Sequence, residues 1–297
     1  MTSPAEPAID IQHLIKRYGN FTAVDDISLT IAPGSVCGLL GPNGAGKTST
    51  FKCLLGFAQP TSGSIRIDGR PLEPATFNKL AFVPEKPALF DYMTVNEHLI
   101  TYSGLHVTYD PARAAELIKL FDLDLKKKAK KLSKGQRTML GLTLAFAIRP
   151  SIFVLDEPTS GLDPIHQRQV LDLIIDVAAG GATVLFASHQ ISQVERAADR
   201  VAIIKRGKLV LDGDTDTLRG QEKLVQAMFE GAIPSLNGIT TDPRIRKTEQ
   251  AGRLLRLYVS RDSDDIARKV TALGAKSVDI TDISLEDVFM NLMSEPA

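Results

Sequence analysis

The residues best able to do chemistry lie in three short stretches. "GPNGAGKTST" carries the spacing G-x-x-x-x-G-K-T across Gly41, Pro42, Asn43, Gly44, Ala45, Gly46, Lys47 and Thr48, with Ser49 next to it. Glycines at these positions let backbone N–H groups turn toward an anion, and a helix beginning there adds partial positive charge. Lys47 can reach the β- and γ-phosphates of a nucleoside triphosphate, and Thr48 can hold Mg²⁺. "IFVLDEP" ends an apolar run with Asp156 and Glu157. Two buried carboxylates need partners, and here one would hold Mg²⁺ through water while the other polarises an attacking water. An acidic cap for the following turn is the plainer reading of the same pair. The third stretch, "LSKGQ", follows "KKKAKK" and has no evident chemistry alone.

Such groups need a frame. "VCGLLG", "KLAFVPE", "SIFVLDEP" and "ATVLFASH" read as short buried strands. Between them, "GQRTMLGLTLAFAI" reads as a buried helix, "IHQRQVLDLIIDVAAGG" as an amphipathic helix closed by glycine, and "ISQVERAADRV" as a helix. Residues 95–125 are helical in pattern, with Pro111 at a favoured first-turn position. Residues 8–33 alternate apolar and polar and read as edge strands, "GSIRIDG" as a hairpin strand, and "VAIIKRGKLVLDG" as a hairpin turning at "RG". Strands alternating with helices imply an α/β fold with a mostly parallel sheet and sites at the carboxyl ends of its strands.

The rhythm changes near residue 220. "LLRLYVS" and "AKSVDITDI" are strand-like, "DDIARKVTALG" and "SLEDVFMNLMS" helical, and "SLED" has capping-box form with Ser284 and Asp287. The division expected is 1–220 for the main domain and 221–297 for a small α/β appendage.

With 297 residues, 43% apolar and 24% charged, the chain has the balance of a globular protein. Formal net charge is zero, which gives no basic stripe for nucleic acid. No apolar run approaches the roughly 18–20 residues that cross a bilayer. The start "MTSPAEPAID" lacks the basic and apolar segments of a signal peptide, so the expected location is the cytosol. Cys37 and Cys53 sit in apolar stretches and read as small buried hydrophobes, and the five histidines show no metal-binding spacing.

With "GPNGAGKT", "LSKGQ", "VLDEPTSGLD" and "ASH" in this order, residues 8–215 resemble the ATP-binding subunit of an ABC transporter. The resemblance implies a P-loop NTPase fold with antiparallel N-terminal strands and a helical subdomain over about 86–148. It implies ATP and Mg²⁺ as ligands and ATP hydrolysis to ADP and phosphate. Tyr18 matches the aromatic that stacks on adenine. Residues 41–48 match the Walker A loop, Asp156 and Glu157 the Walker B acid and catalytic glutamate. Asp163 matches the loop that communicates across a dimer, and His189 the switch histidine near the γ-phosphate. Two copies would pack head to tail, and Ser133, Lys134, Gly135 and Gln136 would face the ATP held by the opposite subunit. The hydroxyl of Ser133 and the helix N-terminus at Gly135 suit that role. A separate integral-membrane permease is implied as partner, which would hold the chain at the inner face of the cell membrane. Because one chain carries every site element, a homodimer is the simpler hypothesis, and a heterodimer is the other.

Two positions depart from the family pattern. Lys134 stands where glycine is usual, and it either adds a charge toward the triphosphate or points to solvent, the second being favoured. Glu85, in "AFVPEKPALF", stands where a glutamine is usual. A carboxylate there can still ligate Mg²⁺, and it adds negative charge beside the phosphates. The lysines of "KKKAKK" suit anionic lipid or an acidic loop of the permease as well as they suit a solvated linker. "FDYM" suits a permease groove or ordinary packing. The ending "SLEDVFMNLM" resembles subunits of ABC-2-type exporters. Two rival functions remain: an ATP clamp with little hydrolysis, opposed by Glu157 and His189 but left open by Lys134 and Glu85, and a non-transport ABC ATPase. The absence of a second cassette or a long heptad run opposes the latter.

Overall fold

The computed structural model describes residues 6–220, 223–236 and 238–294. The first five residues of the acidic start, and residues 221–222 at the junction expected from sequence, lie outside the described residues. The chain divides into two compact units, Met1–Asp212 and Gly213–Ala297.

In the first unit, β1 (Ile9–Tyr18) and β2 (Phe21–Ile31) pair antiparallel, followed by β3 (Val36–Leu40) and α1 (Lys47–Leu54). Next come β4 (Ser62–Ile67), β5 (Arg70–Pro71), the short α2 (Pro74–Phe77) and β6 (Leu80–Val83). The helices α3 (Val95–Leu105), α4 (Pro111–Leu120) and α5 (Lys134–Ala147) follow in succession. Then come β7 (Ile152–Asp156), α6 (Pro164–Ala179), β8 (Thr183–Ser188), α7 (Ile191–Ala197), β9 (Arg200–Lys205) and β10 (Lys208–Asp214), whose last two residues fall past the division.

One sheet has the order β10-β9-β3-β8-β7-β6, with β9, β3, β8, β7 and β6 mutually parallel along it. Its central members β3, β7 and β8 are buried at every residue, which explains their unbroken apolar runs: one face shares a core with α1 and strands β1, β2 and β4, and on the other Gly38 lies against Val194 of α7. At one edge β10 alternates exposed and half-buried residues. The second sheet is β2-β1-β4-β5, antiparallel throughout. The edge reading of residues 8–33 therefore holds for β2 and fails for β1, which lies between β2 and β4. Alternation reports that one face is covered, as Ile9, Ile11 and Leu14 are, and carries no information about lateral neighbours.

At α3, α4 and α5 the helix start is marked by side chains that satisfy free N–H groups of the first turn. Thr94 and Glu97 form a capping box on α3, and Asp110 accepts from Ala112 N and Arg113 N ahead of Pro111. Ser133 and Gln136 form a capping box on α5. The buried α5 packs on the sheet through Phe146 and Phe153, whose ring centroids lie 4.6 Å apart.

The second unit contains α8 (Thr215–Gly220), β11 (Lys223–Met228), β12 (Ile245–Ala251), β13 (Leu254–Val259), α9 (Ser263–Ala272), β14 (Ser277–Asp282) and α10 (Leu285–Ser294). Its strands form an antiparallel sheet in the order β12-β13-β11-β14. Ile266 and Val270 of α9 are buried with Val225, Leu255 and Leu257. The capping box expected at α10 is present: Asp287 N donates to Ser284 Oγ at 3.1 Å and Ser284 N to Asp287 Oδ2 at 3.2 Å. Sequence reading missed β11 and β12. Most side chains of β12 are polar, and its burial never alternates cleanly.

Candidate functional site

Three neighbouring strands deliver the reactive side chains. The order β3-β8-β7 puts the loop after β3, His189 after β8, and Asp156 and Glu157 at the end of β7 side by side at one end of the parallel sheet. The cleft there has a volume of about 230 Å³ and is lined by residues 42–49, Phe21, Ala23, Glu85, Asp156 and Glu157. Gly46 adopts φ +113°, and a Cβ on it would lie 2.5 Å from Ala23 O, so glycine is required for the loop to close.

Lys47 is buried and donates from Nζ to Gly41 O at 2.6 Å. Its Nζ lies 3.9 Å from Glu157 Oε1. Burial holds this ammonium below the usual lysine range, against the opposing pull of Glu157, Asp156 and Glu85. Thr48 Oγ1 donates to Asp156 Oδ2 at 3.0 Å, which ties α1 to the end of β7. Asp156 is held above the usual carboxylate range, chiefly by burial; the Thr48 bond and Lys47 oppose the rise.

His189 Nδ1 donates to Glu157 Oε2 at 2.8 Å. Glu157 has φ +51°, a left-handed backbone that costs a side-chain-bearing residue free energy. Its amide donates to Ala187 O at 3.0 Å, so the turn hangs from β8. Gln193, which sequence reading passed over, braces the same loop. Its Oε1 accepts from Thr159 Oγ1 at 2.6 Å and from Ser188 Oγ at 3.1 Å. A glutamine on a helix face carries no local signal of that role.

The LSKGQ stretch, the signature of the family it resembles, occupies a different place. Ser133, Gly135, Gln136, Gly161, Leu162, Asp163 and His166 border a second cleft of about 360 Å³. A Cβ on Gly135 would lie 2.9 Å from Gly161 O, so the start of α5 is pressed onto the loop after β7. Asp163 caps α6, and its carboxyl meets His166 Nδ1 at 2.5 Å; the His166 side-chain bond is the main cause that holds it below the usual carboxylate range. Lys127 was read only as part of a charge run. It donates from Nζ to Gln136 Oε1 at 3.0 Å, inside the capping box.

Lys134 and Glu85 are brought together. Lys134 Nζ lies 3.7 Å from Glu85 Oε1 and donates to Ser160 Oγ at 2.9 Å. Lys134 is exposed to solvent, as the favoured sequence reading has it, and also has these two partners. Tyr18 does not line the phosphate cleft; it lies opposite Phe21 across the β1–β2 turn, with Lys16 Nζ 4.8 Å from its ring centroid. Phe21, exposed and on the cleft wall, was missed. Phe90 and Tyr92 are more than half exposed, so "FDYM" does not pack in the core. His98 supports that loop by accepting from Phe90 N at 3.0 Å and donating to Thr94 O at 2.8 Å.

The donor set fits a magnesium nucleotide. Thr48 and Asp156 offer hard oxygens beside a backbone cradle, the usual arrangement for an ion that keeps waters and shares its shell with phosphates. Among the described residues no group of three or more His, Cys, Asp or Glu could hold a metal alone, and no helix is long and apolar enough to cross a membrane.

The family model described as ABC transporter matches residues 24–160. The chain is 31% identical over 296 residues to Nod factor export ATP-binding protein I of Paraburkholderia xenovorans (strain LB400), covering 97% of each. It is 29% identical to daunorubicin resistance ATP-binding protein DrrA3 of Streptomyces coeruleorubidus, covering 98% of this chain and 97% of that one. A solved structure described as the ATP binding subunit of an ABC transporter superposes with a TM-score of 0.67 at 29% identity, covering 72% of this chain and 92% of its own. Likeness along almost the whole length, on a P-loop frame, makes this chain a member of the ABC transporter family, an ATP-binding subunit and ATPase.

Proposed function

We propose that the chain drives a separate membrane permease of the exporter class by hydrolysing Mg²⁺-ATP between two head-to-tail copies of itself. The convergence of Lys47, Thr48, Asp156, Glu157 and His189 on one end of the parallel sheet carries this reading. The export direction is supported by relatives of full length that are named for Nod factor export and daunorubicin resistance.

In this reading residues 41–49 wrap the β- and γ-phosphates with backbone N–H groups, and Lys47 exchanges its carbonyl bond with Gly41 for a phosphate oxygen. Thr48 and Asp156 hold Mg²⁺, with Glu85 at the border of its shell; bound there, the ion neutralises phosphate charge. Glu157 orients the attacking water and takes its proton. His189 fixes the Glu157 carboxylate and adds a polar group near the γ-phosphate. Tyr18 supplies a face for the base at the outer end. Asp163 positions the loop that meets the other copy.

The pairing of copies is supported by the separation of the two clefts. Ser133, Gly135 and Gln136 border a surface other than the phosphate cleft of their own chain, so a second copy is needed to bring a signature to it. The partners are thus a second copy and the permease, at the inner face of the membrane, with no role for nucleic acid.

ATP turnover by the purified chain with Mg²⁺, beside Glu157→Gln, tests the reading. Turnover should rise more than linearly with protein concentration and vanish in the variant, which should elute as an ATP-dependent dimer. Turnover strictly proportional to concentration, with a monomeric Glu157→Gln, would sink the self-pairing.

A further inference from the structure

The phosphate cleft is rich in negative charge. Glu85, Asp156 and Glu157 all line it, and Lys47 is the cation on its wall. A triphosphate would enter against Glu85 unless that carboxylate were compensated. Lys134 does so from outside the wall: its Nζ lies 3.7 Å from Glu85 Oε1. Its other partner is Ser160 Oγ at 2.9 Å, in the loop that leaves Glu157. The aliphatic stem crosses Gly161, where a Cβ would lie 2.9 Å from Lys134 Cδ. The lysine thus has a fitted path, a carboxylate at its tip and a hydroxyl on the catalytic loop. The charge on Glu85 is felt within the cleft by both Lys47 and Asp156, so compensating it alters what a ligand meets there.

We propose that Lys134 is a positioning residue for the phosphate cleft of its own chain, holding Glu85 and screening its charge while pinning the loop through Ser160. The two departures from the family pattern are then one device: a carboxylate in the cleft and the ammonium that makes it tolerable. This rests on the reading of the cleft as an ATP site. It differs from a role for Lys134 toward the nucleotide of a second copy, because its effect passes through Glu85.

Equilibrium binding of a fluorescent ATP analogue to the full chain, in EDTA and low salt, separates the two. Both partners are about half exposed, with side-chain exposures of 54% and 48%, so a modest coupling is expected. Lys134→Met should weaken binding by about three- to five-fold, the size of a half-exposed ion pair. In the Glu85→Gln background the same substitution should change affinity by less than about 1.5-fold, and in 0.5 M salt the difference between backgrounds should shrink, as screening requires. Lys134→Arg should restore most of the loss. Equal loss in both backgrounds, or no loss in either, overturns the proposal. A parent chain that binds no ATP would instead remove the ATP-site reading itself. Far-ultraviolet circular dichroism of each variant confirms the fold.

Discussion

His189 Nδ1 and Glu157 Oε2 lie 2.8 Å apart, joining the residue after β8 to the residue after β7. A base held by a hydrogen bond is already oriented before substrate arrives. Glu157→Gln should lower kcat for ATP hydrolysis by about 10²–10⁴-fold, the usual contribution of a positioned base. His189→Ala should lose much of the same factor by freeing the carboxylate. ATP binding should persist in both, and phosphate release beside nucleotide titration checks this. Loss of binding in parallel with turnover would put both residues in ligand capture instead.

Asp156 sits above the ordinary carboxylate range because it is buried. A raised pKa in the folded chain means stability that is present below the ordinary aspartate value and lost as pH rises through the folded one. At neutral pH the ionised side chain therefore burdens the nucleotide-free fold. Asp156→Asn should raise the Tm of the nucleotide-free chain. It should also abolish the added stabilisation that Mg²⁺ gives over ATP alone. Thermal unfolding with ATP, with and without Mg²⁺, reads both; an unchanged Mg²⁺ effect contradicts the metal assignment.

Tyr18 and Phe21 face each other across the β1–β2 turn, but Phe21 lines the phosphate cleft and Tyr18 does not. A stacked base needs an aromatic farther out than the phosphates. Tyr18→Ala should weaken ATP binding by about 1–3 kcal/mol, the range for base–aromatic stacking. Phe21→Ala should change it by less than about two-fold. The reverse ranking would move the base onto Phe21.

Cys37 and Cys53 are buried and free, and burial pushes the Cys37 thiol up to about 12. The thiolate is the reactive form, so neither should react with a thiol reagent at pH 7.5 in the folded chain, while both should react after denaturation. The sign for stability follows: the contribution of Cys37 is complete below the ordinary thiol value and is lost as pH rises toward 12. Fast labelling of native Cys37 would show that β3 opens, and of Cys53 that α1 does.

Much of the catalytic unit was legible because its motifs are contiguous. A loop such as residues 41–48 is written in successive residues, and so is "LDEP"; the chemistry and the backbone that serves it share one stretch. Contacts between distant stretches were not legible. Nothing in "VPEKP" or "LSKGQ" says that Glu85 and Lys134 meet, because folding α5 against the end of β6 is what brings them together. Gln193 escaped for the same reason, and so did the difference between Tyr18 and Phe21. In the second unit the amphipathic helices announced themselves, while β12, "IRKTEQA", offered no apolar face to read.

The left-handed backbone at Glu157 has a consequence for how such a chain can change. Glycine or asparagine would occupy that turn with less strain than glutamate, so the fold does not ask for an acid there. Folding and turnover are therefore separable by one substitution. On the proposed reading of paired copies, a copy that lost Glu157 would still fold, grip ATP and pair, and would turn a motor into a latch that closes once.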